Sequence, residues 1–197
     1  MCGIVGYIGK QDAAPILLDG LRRLEYRGYD SAGLSLQAPD GFLTLKKTGR
    51  VENLRKSALG IKQGSDIGIS HTRWATHGGV SDTNAHPHVS WDGKLSVVHN
   101  GVIENFAFIR RELEAKGVTF QSETDSEALV NLVAFLYEAE QRQNGASALE
   151  CLLKALRGAL SQVEGTYGIA LICTDLPEIM LGARKGSPLV VGVGNGE

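Results

Sequence analysis

Strand-like and helix-like segments alternate along the whole chain, and no internal repeat, low-complexity tract or flexible linker interrupts them. Many strands with helices gathered in separate runs fit two sheets packed together with helices outside, an α+β architecture. The apolar run over residues 4–8 reads as a buried strand. Pro15 then suits the first turn of a helix, Leu17, Leu18, Leu21 and Leu24 recur at helical spacing, and Gly28 closes the segment. Alternating runs at 31–37 and 42–47 flank Pro39-Asp40-Gly41 and predict a hairpin. A short helix over 51–59 and a strand over 67–71 follow. Residues 72–90 carry neither period and predict a long loop, a length that inside a domain is usually functional or disordered. A strand over 95–99 is expected to end at Asn100-Gly101, and a helix over 106–116 to stop at Gly117. Thr124 and Glu127 have the capping-box spacing and open a helix through Leu129, Leu132, Val133 and Leu136; another covers 146–160. Strands are predicted at 167–173, 179–183 and 189–193. The last leads into Gly194-Asn195-Gly196-Glu197, turn chemistry with no returning strand, so the chain is expected to be a fragment of a longer protein.

At 197 residues the chain is one domain, long enough to bury a core without staples. The net charge of −2, with Lys and Arg scattered, argues against nucleic acid or an acidic membrane surface as partner. No apolar run approaches the ~20 residues a membrane helix requires, and no signal segment opens the chain. Three cysteines form no framework spacing, which points to a reducing compartment and a cytoplasmic location. Cys151, among Leu149, Leu152, Leu153 and Leu156, and Cys173, ending the apolar run 169–172, read as small core residues.

Cys2 stands behind one removable methionine. As a first residue it would carry a thiol nucleophile and a free α-amine whose pKa near ~8 suits a base; it can equally be an ordinary cysteine in a first strand. All five histidines, His71, His77, His86, His88 and His99, lie in one stretch. They lack zinc-motif spacing and accompanying ligands, so no metal is expected, and His71, His86, His88 and His99 are read as hydrogen-bonding loop backbone. In Arg73-Trp74-Ala75-Thr76-His77-Gly78, the guanidinium suits a carboxylate and the indole a lid, or the pair is stacked for packing. Asn100-Gly101 holds the donor types of an oxyanion hole and is also an ordinary turn dipeptide. Asp125 either serves the helix dipole or awaits a substrate ammonium. A guanidinium, a carboxylate and a thiol together specify an amino acid with an acyl side chain.

Six blocks carry a resemblance: residues 1–6, 21–33, 71–77, 84–88, 99–105 and 122–125. In this order they resemble the glutaminase domain of class II glutamine amidotransferases, the N-terminal-nucleophile type. Tyr26-Arg27-Gly28-Tyr29-Asp30-Ser31-Ala32-Gly33 is similar to the branch that aminates fructose 6-phosphate. Purine-pathway amidophosphoribosyltransferases read His-Arg-Gly-Gln-Glu-Ser there, and asparagine synthetases Arg-Gly-Pro-Asp.

The resemblance implies a four-layer αββα sandwich over residues 1–197, ending before the family's last strands, and L-glutamine as substrate. It implies Cys2 as nucleophile with its own α-amine as base, and Asn100 and Gly101 as the oxyanion hole. It further implies Arg73, Thr76 and His77 at the substrate carboxylate, Asp125 at its ammonium, Trp74 in a closing loop and Arg27 near the nucleophile. No cofactor and no metal are implied. The parent would be a homo-oligomer, and fructose 6-phosphate would be reached only through an isomerase portion absent from this chain. Two other readings stand beside this one: an amidotransferase with a different acceptor domain, and a catalytically silent glutamine-binding or interaction fragment of the same fold.

Overall fold

Two antiparallel sheets account for the strand-like segments. They are seen in a computed structural model that describes residues 2–59, 64–74, 78–142 and 145–197. The first sheet contains β1 (Gly3–Ile8), β2 (Ser31–Ala38), β3 (Gly41–Thr48) and β4 (Ile67–Arg73), in the order β1-β4-β2-β3. The second contains β5 (His88–Val89), β6 (Leu95–Ile103), β7 (Gly165–Cys173) and β8 (Leu176–Lys185), in the order β5-β6-β7-β8. Five α-helices accompany them among the described residues: α1 (Ala13–Leu24), α2 (Val51–Ala58), α3 (Phe106–Glu114), α4 (Asp125–Gln141) and α5 (Ala148–Gln162).

Alternation along the strands decides what each face meets. On β7, Ile169, Leu171 and Cys173 join a core with α3, α4 and α5, whereas Ala170 and Ile172 join Ile67 and Ile69 of β4. On β6, Val97 faces the helices and its neighbour Val98 the other sheet. Ala32, Leu34 and Leu36 of β2 pack with Leu17 and Leu21 of α1 and Leu54 of α2. Both faces of β7 are thus apolar, and the described residues form three apolar cores. Each fully buried leucine contributes roughly 1.5–3 kcal/mol. The helix-surface ion pairs Asp19–Arg22, Glu52–Arg55 and Glu138–Arg142 are exposed and screened by solvent, so the cores carry the fold.

Local chemistry explains the helix starts. The Asp12 carboxylate accepts from the Ala14 N–H to cap α1, and Ser147 and Glu150 form a complete capping box at α5. The predicted box at α4 is half made. Thr124 accepts from the Glu127 N–H at 3.2 Å, but the Glu127 carboxylate turns upstream to the N–H groups of Gln121 and Ser122.

Three sequence expectations about strand and loop bounds need correction. The strand expected to stop at residue 99 runs through Asn100 and Gly101 to Ile103, because β7 supplies a ladder partner at every position from Leu95 to Ile103. The loop expected over 72–90 is shorter, since Thr72 and Arg73 extend β4 and His88–Val89 form β5; Ala75, Thr76 and His77 lie outside the described residues. Residues 189–193 are not a strand. They follow Ser187-Pro188 with no ladder partner among the described strands, leaving Val190 and Val191 90% and 79% exposed. The turn beyond them does close, with the Gly194 N–H donating to the Glu197 carbonyl at 2.9 Å.

One end of the molecule, around the head of α4, is polar inside. His71, His86, His88 and His99 are all buried. Their partners are chiefly side chains, not the loop backbone expected from sequence: His71 meets Asn100, His86 and His99 share the Ser126 hydroxyl, and His88 meets Thr124. His99 Nε2 also reaches a main-chain oxygen, that of Thr166 in β7, at 3.4 Å. Burial pushes the His71 pKa down to about 3 and those of His86 and His88 well below the usual imidazole value, with the charges of Arg73 and Lys46 acting in the same direction. Unfolded, these groups take up protons near pH ~6.5; folded, they do not. Their contribution to stability is therefore fully present above pH ~6.5 and is lost as the pH falls toward 3. The urea midpoint is expected to drop between pH 7.5 and pH 5, and less so in His88→Gln; an unchanged midpoint over that range would contradict buried neutral imidazoles.

Candidate active site

The antiparallel register of β1 and β4 pairs Gly3 with Thr72, which brings Cys2 level with Arg73 and Trp74. The Gly3 N–H donates to the Thr72 hydroxyl at 3.2 Å and fixes that end of the ladder. The Trp74 N–H donates to Cys2 Sγ at 3.1 Å, and the thiol lies 3.6 Å from the Trp74 carbonyl. Burial pushes the Cys2 thiol up; the Trp74 N–H and the Arg73 charge oppose this only in part, and Asp30 adds to it. A thiol in this position needs a base to become a nucleophile at neutral pH.

The second sheet supplies the facing groups. Asn100 on β6 directs its amide Nδ2 to the Cys2 carbonyl at 3.3 Å and its Oδ1 to His71 Nε2 at 2.8 Å. Gly101 follows with φ +145, and a Cβ there would lie 2.1 Å from the Thr166 carbonyl oxygen, so only glycine fits. Asp125 stands in the first turn of α4, buried; its Oδ2 accepts from the Ile103 N–H at 2.9 Å and lies 3.9 Å from His99 Nδ1. The dipole at the head of α4 favours its charge.

Arg73 ends β4 and is buried, with guanidinium N–H groups donating to the carbonyls of Gly79 and Gly78 at 3.2 and 3.4 Å. Trp74 is 51% exposed and meets the Tyr29 ring edge-on at 5.7 Å. The loop beyond is tied down: Asn84 donates to the Gly79 carbonyl and accepts from the Glu123 N–H, Asp82 accepts from the Thr48 N–H, and Lys46 donates to the Thr83 carbonyl.

A single cleft of 1470 Å³ is lined by Cys2, Arg27, Arg73, Trp74, Asn100, Gly101 and Asp125. The structure therefore brings together every sequence-derived site residue that it describes; Thr76 and His77 lie outside the described residues. Cation, anion, thiol and amide donor converge on one volume, the complement of a zwitterion with a polar side chain. Sequence reasoning missed His86, His99 and Ser126, which also line the cleft, and His71 next to them. The signal available was the clustering of histidines in the sequence, which the facing sheets and the head of α4 turn into contacts. Among the described residues no group of three or more His, Cys, Asp or Glu is arranged to hold a metal ion, and no helix is long and apolar enough to cross a membrane.

Known proteins resemble the chain in sequence and in fold. A family model described as glutamine amidotransferase domain matches residues 55–172. The glutamine–fructose-6-phosphate aminotransferase (isomerizing) of Symbiobacterium thermophilum is 47% identical over 197 residues, which are 100% of this chain and 30% of that protein. The protein of the same name from Chlorobaculum tepidum is 48% identical over 200 residues, 100% of this chain and 31% of its own length. The chain thus spans about a third of the length of these relatives. Among solved structures, the glutamine phosphoribosylpyrophosphate amidotransferase of Bacillus subtilis superposes with a TM-score of 0.72 at 24% identity, covering 93% of this chain and 37% of that one; at that identity the likeness concerns the fold. A glutamine aminotransferase class-II domain protein of Silicibacter pomeroyi gives 0.57 at 17%, covering 96% and 79%. The chain belongs to the glutamine amidotransferase domain family.

Proposed function

We propose that the chain hydrolyses L-glutamine to glutamate and ammonia through a thioester on Cys2. The observation that carries this reading is the meeting, in one cleft, of a half-buried thiol just before β1 with an amide donor on β6, beside Arg73 and Asp125. Removal of Met1 frees the Cys2 α-amine, which takes the thiol proton as sulfur bonds to the side-chain carbonyl carbon of glutamine. Asn100 and the backbone of Gly101 donate to the oxyanion. The C–N bond breaks, the ammonium proton passes to the leaving nitrogen, and ammonia departs. Water then attacks the thioester, releasing glutamate and restoring the thiol. Arg73, with Thr76 and His77, holds the α-carboxylate, Asp125 holds the α-ammonium, Arg27 borders the nucleophile, and Trp74 closes over the substrate.

The helices on the outer side of each sheet support a four-layer αββα arrangement, with residues 1–197 forming most of one glutaminase domain. By similarity to the aminotransferases matched above, the ammonia serves the amination of fructose 6-phosphate on a separate portion of a longer, oligomeric, cytoplasmic protein.

Cys2→Ala in the full-length protein is expected to abolish glutamine hydrolysis; retained turnover would remove Cys2 from the mechanism. Asn100→Ala is expected to lower turnover about 10²–10³-fold, and a change confined to substrate affinity would make Asn100 a binding residue instead. Asp125→Asn keeps an acceptor for the Ile103 N–H while removing the charge. It is expected to raise KM for glutamine about tenfold or more with a smaller effect on an analogue lacking the α-amine; equal losses on both would contradict the ammonium role. Because the thiol is pushed up, the base governs the pH profile. The ratio kcat/KM is expected to rise with pH as the α-amine deprotonates near ~8 and to be lost below it; a profile flat from pH 6 to 9 would exclude the amine as base.

A further inference from the structure

We propose that His71 is a positioning residue that locks the Asn100 amide with its NH2 group toward Cys2. The inference rests on the glutaminase reading, in which that NH2 group is an oxyanion donor.

Asn100 sits between two fixed partners. On one side its amide meets the main-chain carbonyl of Cys2 at 3.3 Å, and on the other His71 Nε2 at 2.8 Å. A carbonyl oxygen only accepts, so the amide atom facing Cys2 must be the nitrogen. The amide oxygen then faces His71, and Nε2 must carry a proton to meet it. A neutral imidazole has one N–H, so Nδ1 is left with a lone pair. Nδ1 is buried and makes no hydrogen bond that would hold a proton there in competition with the bond from Nε2 to Asn100.

The other tautomer has a different consequence for chemistry. With the proton on Nδ1, Nε2 becomes an acceptor, the amide turns over, and its oxygen faces the Cys2 carbonyl and the cleft. A developing oxyanion there would meet a like dipole instead of a donor. Thus one proton, on a residue that does not need to touch the substrate, decides whether the site holds an oxyanion donor or an acceptor.

Several features hold the ring in place. His71 lies mid-strand on β4, paired on one side with Ile4 of β1 and on the other with Gly33 of β2. It is 1% exposed, and the His86 ring lies 4.2 Å away at 33°. Burial first, then the nearby His99 and Arg73, oppose a second proton, while the Asn100 oxygen and the His99 main chain favour one; the balance keeps the ring neutral at pH 7.

Nitrogen NMR of the full-length protein labelled with ¹⁵N-histidine, at pH 7, reads the tautomer directly, with the His71 signal assigned by its loss in His71→Gln. The expected spectrum shows Nε2 protonated and Nδ1 bare; a proton on Nδ1 overturns the proposal. Kinetics supply the second readout. His71→Phe, which removes the donor and keeps a ring, is expected to lower kcat for glutamine hydrolysis about 10–100-fold with KM changed less than about threefold. His71→Gln, which returns an amide N–H near the Nε2 position, should recover most of that loss. Adding His71→Phe to Asn100→Ala should cost nothing further, because both act through one group. A loss expressed mainly in KM, or two losses that multiply, would make His71 a packing residue. Loss of turnover in Cys2→Ala beside an unaffected His71→Phe would overturn this inference alone; retained turnover in Cys2→Ala would overturn the glutaminase reading itself.

Discussion

The contact between β1 and β6 is the constraint on which the site depends. Cys2 and Asn100 are 98 positions apart, and they meet only because the two sheets pack face to face. Residues of three strands, Ile67 and Ile69 on β4, Val98 on β6, and Ala170 and Ile172 on β7, fill the space between the sheets; Ile4 of β1 and Met180 of β8 pack against them. That apolar contact sets the spacing at which a side-chain amide on one sheet reaches a main-chain carbonyl on the other. Loss of it would scatter thiol, donor and cation together, with no change to any of them individually.

Where the intersheet space turns polar, it does so beside the cleft. His71 and Asn100 meet between the sheets, and His86, His88 and His99 continue the polar cluster to Ser126 and Thr124 at the head of α4. Such groups lower stability relative to apolar packing unless their hydrogen bonds are met, and most of these are. The hydroxyl of Ser126 bridges His86 and His99 at 2.7 and 2.9 Å, and Thr124 serves both the head of α4 and His88. The layer ties β4, β5, β6 and α4 to one another directly behind Asn100 and Asp125. It gives a reason for polar residues at positions that propensity and burial would fill with aliphatic ones.

Much of this was legible in the sequence, because most elements carry their own local signals. Leu17 and Leu21 at helical spacing, the hairpin around Pro39-Asp40-Gly41 and the stop at Gly117 each depend on neighbours a few residues away. The α+β class and the family followed from such elements and from the ordered blocks, and the solved structures and relatives agree with both. What local signals could not convey was partnership. Asn100-Gly101 looks like a turn until Gly168 and Tyr167 are set opposite it on β7, and residues 189–193 look like a strand although none of the described strands pairs with them. Glu127 has the spacing of a capping box yet bonds Gln121 and Ser122, since the chain before Thr124 folds back within its reach. The histidines were read as bonded to loop backbone because their true partners, Asn100, Ser126 and Thr124, are distant in sequence or lie on the facing sheet.

The central claim is that Cys2, freed of Met1, is the nucleophile of a glutamine pocket. Intact-mass analysis and peptide mapping of the full-length protein, after exposure to a glutamine-like diazoketone electrophile, test it most directly. The account expects loss of Met1 and a single adduct on Cys2, suppressed by excess glutamine. An adduct on another residue, or a processed chain that stays unlabelled, would contradict it.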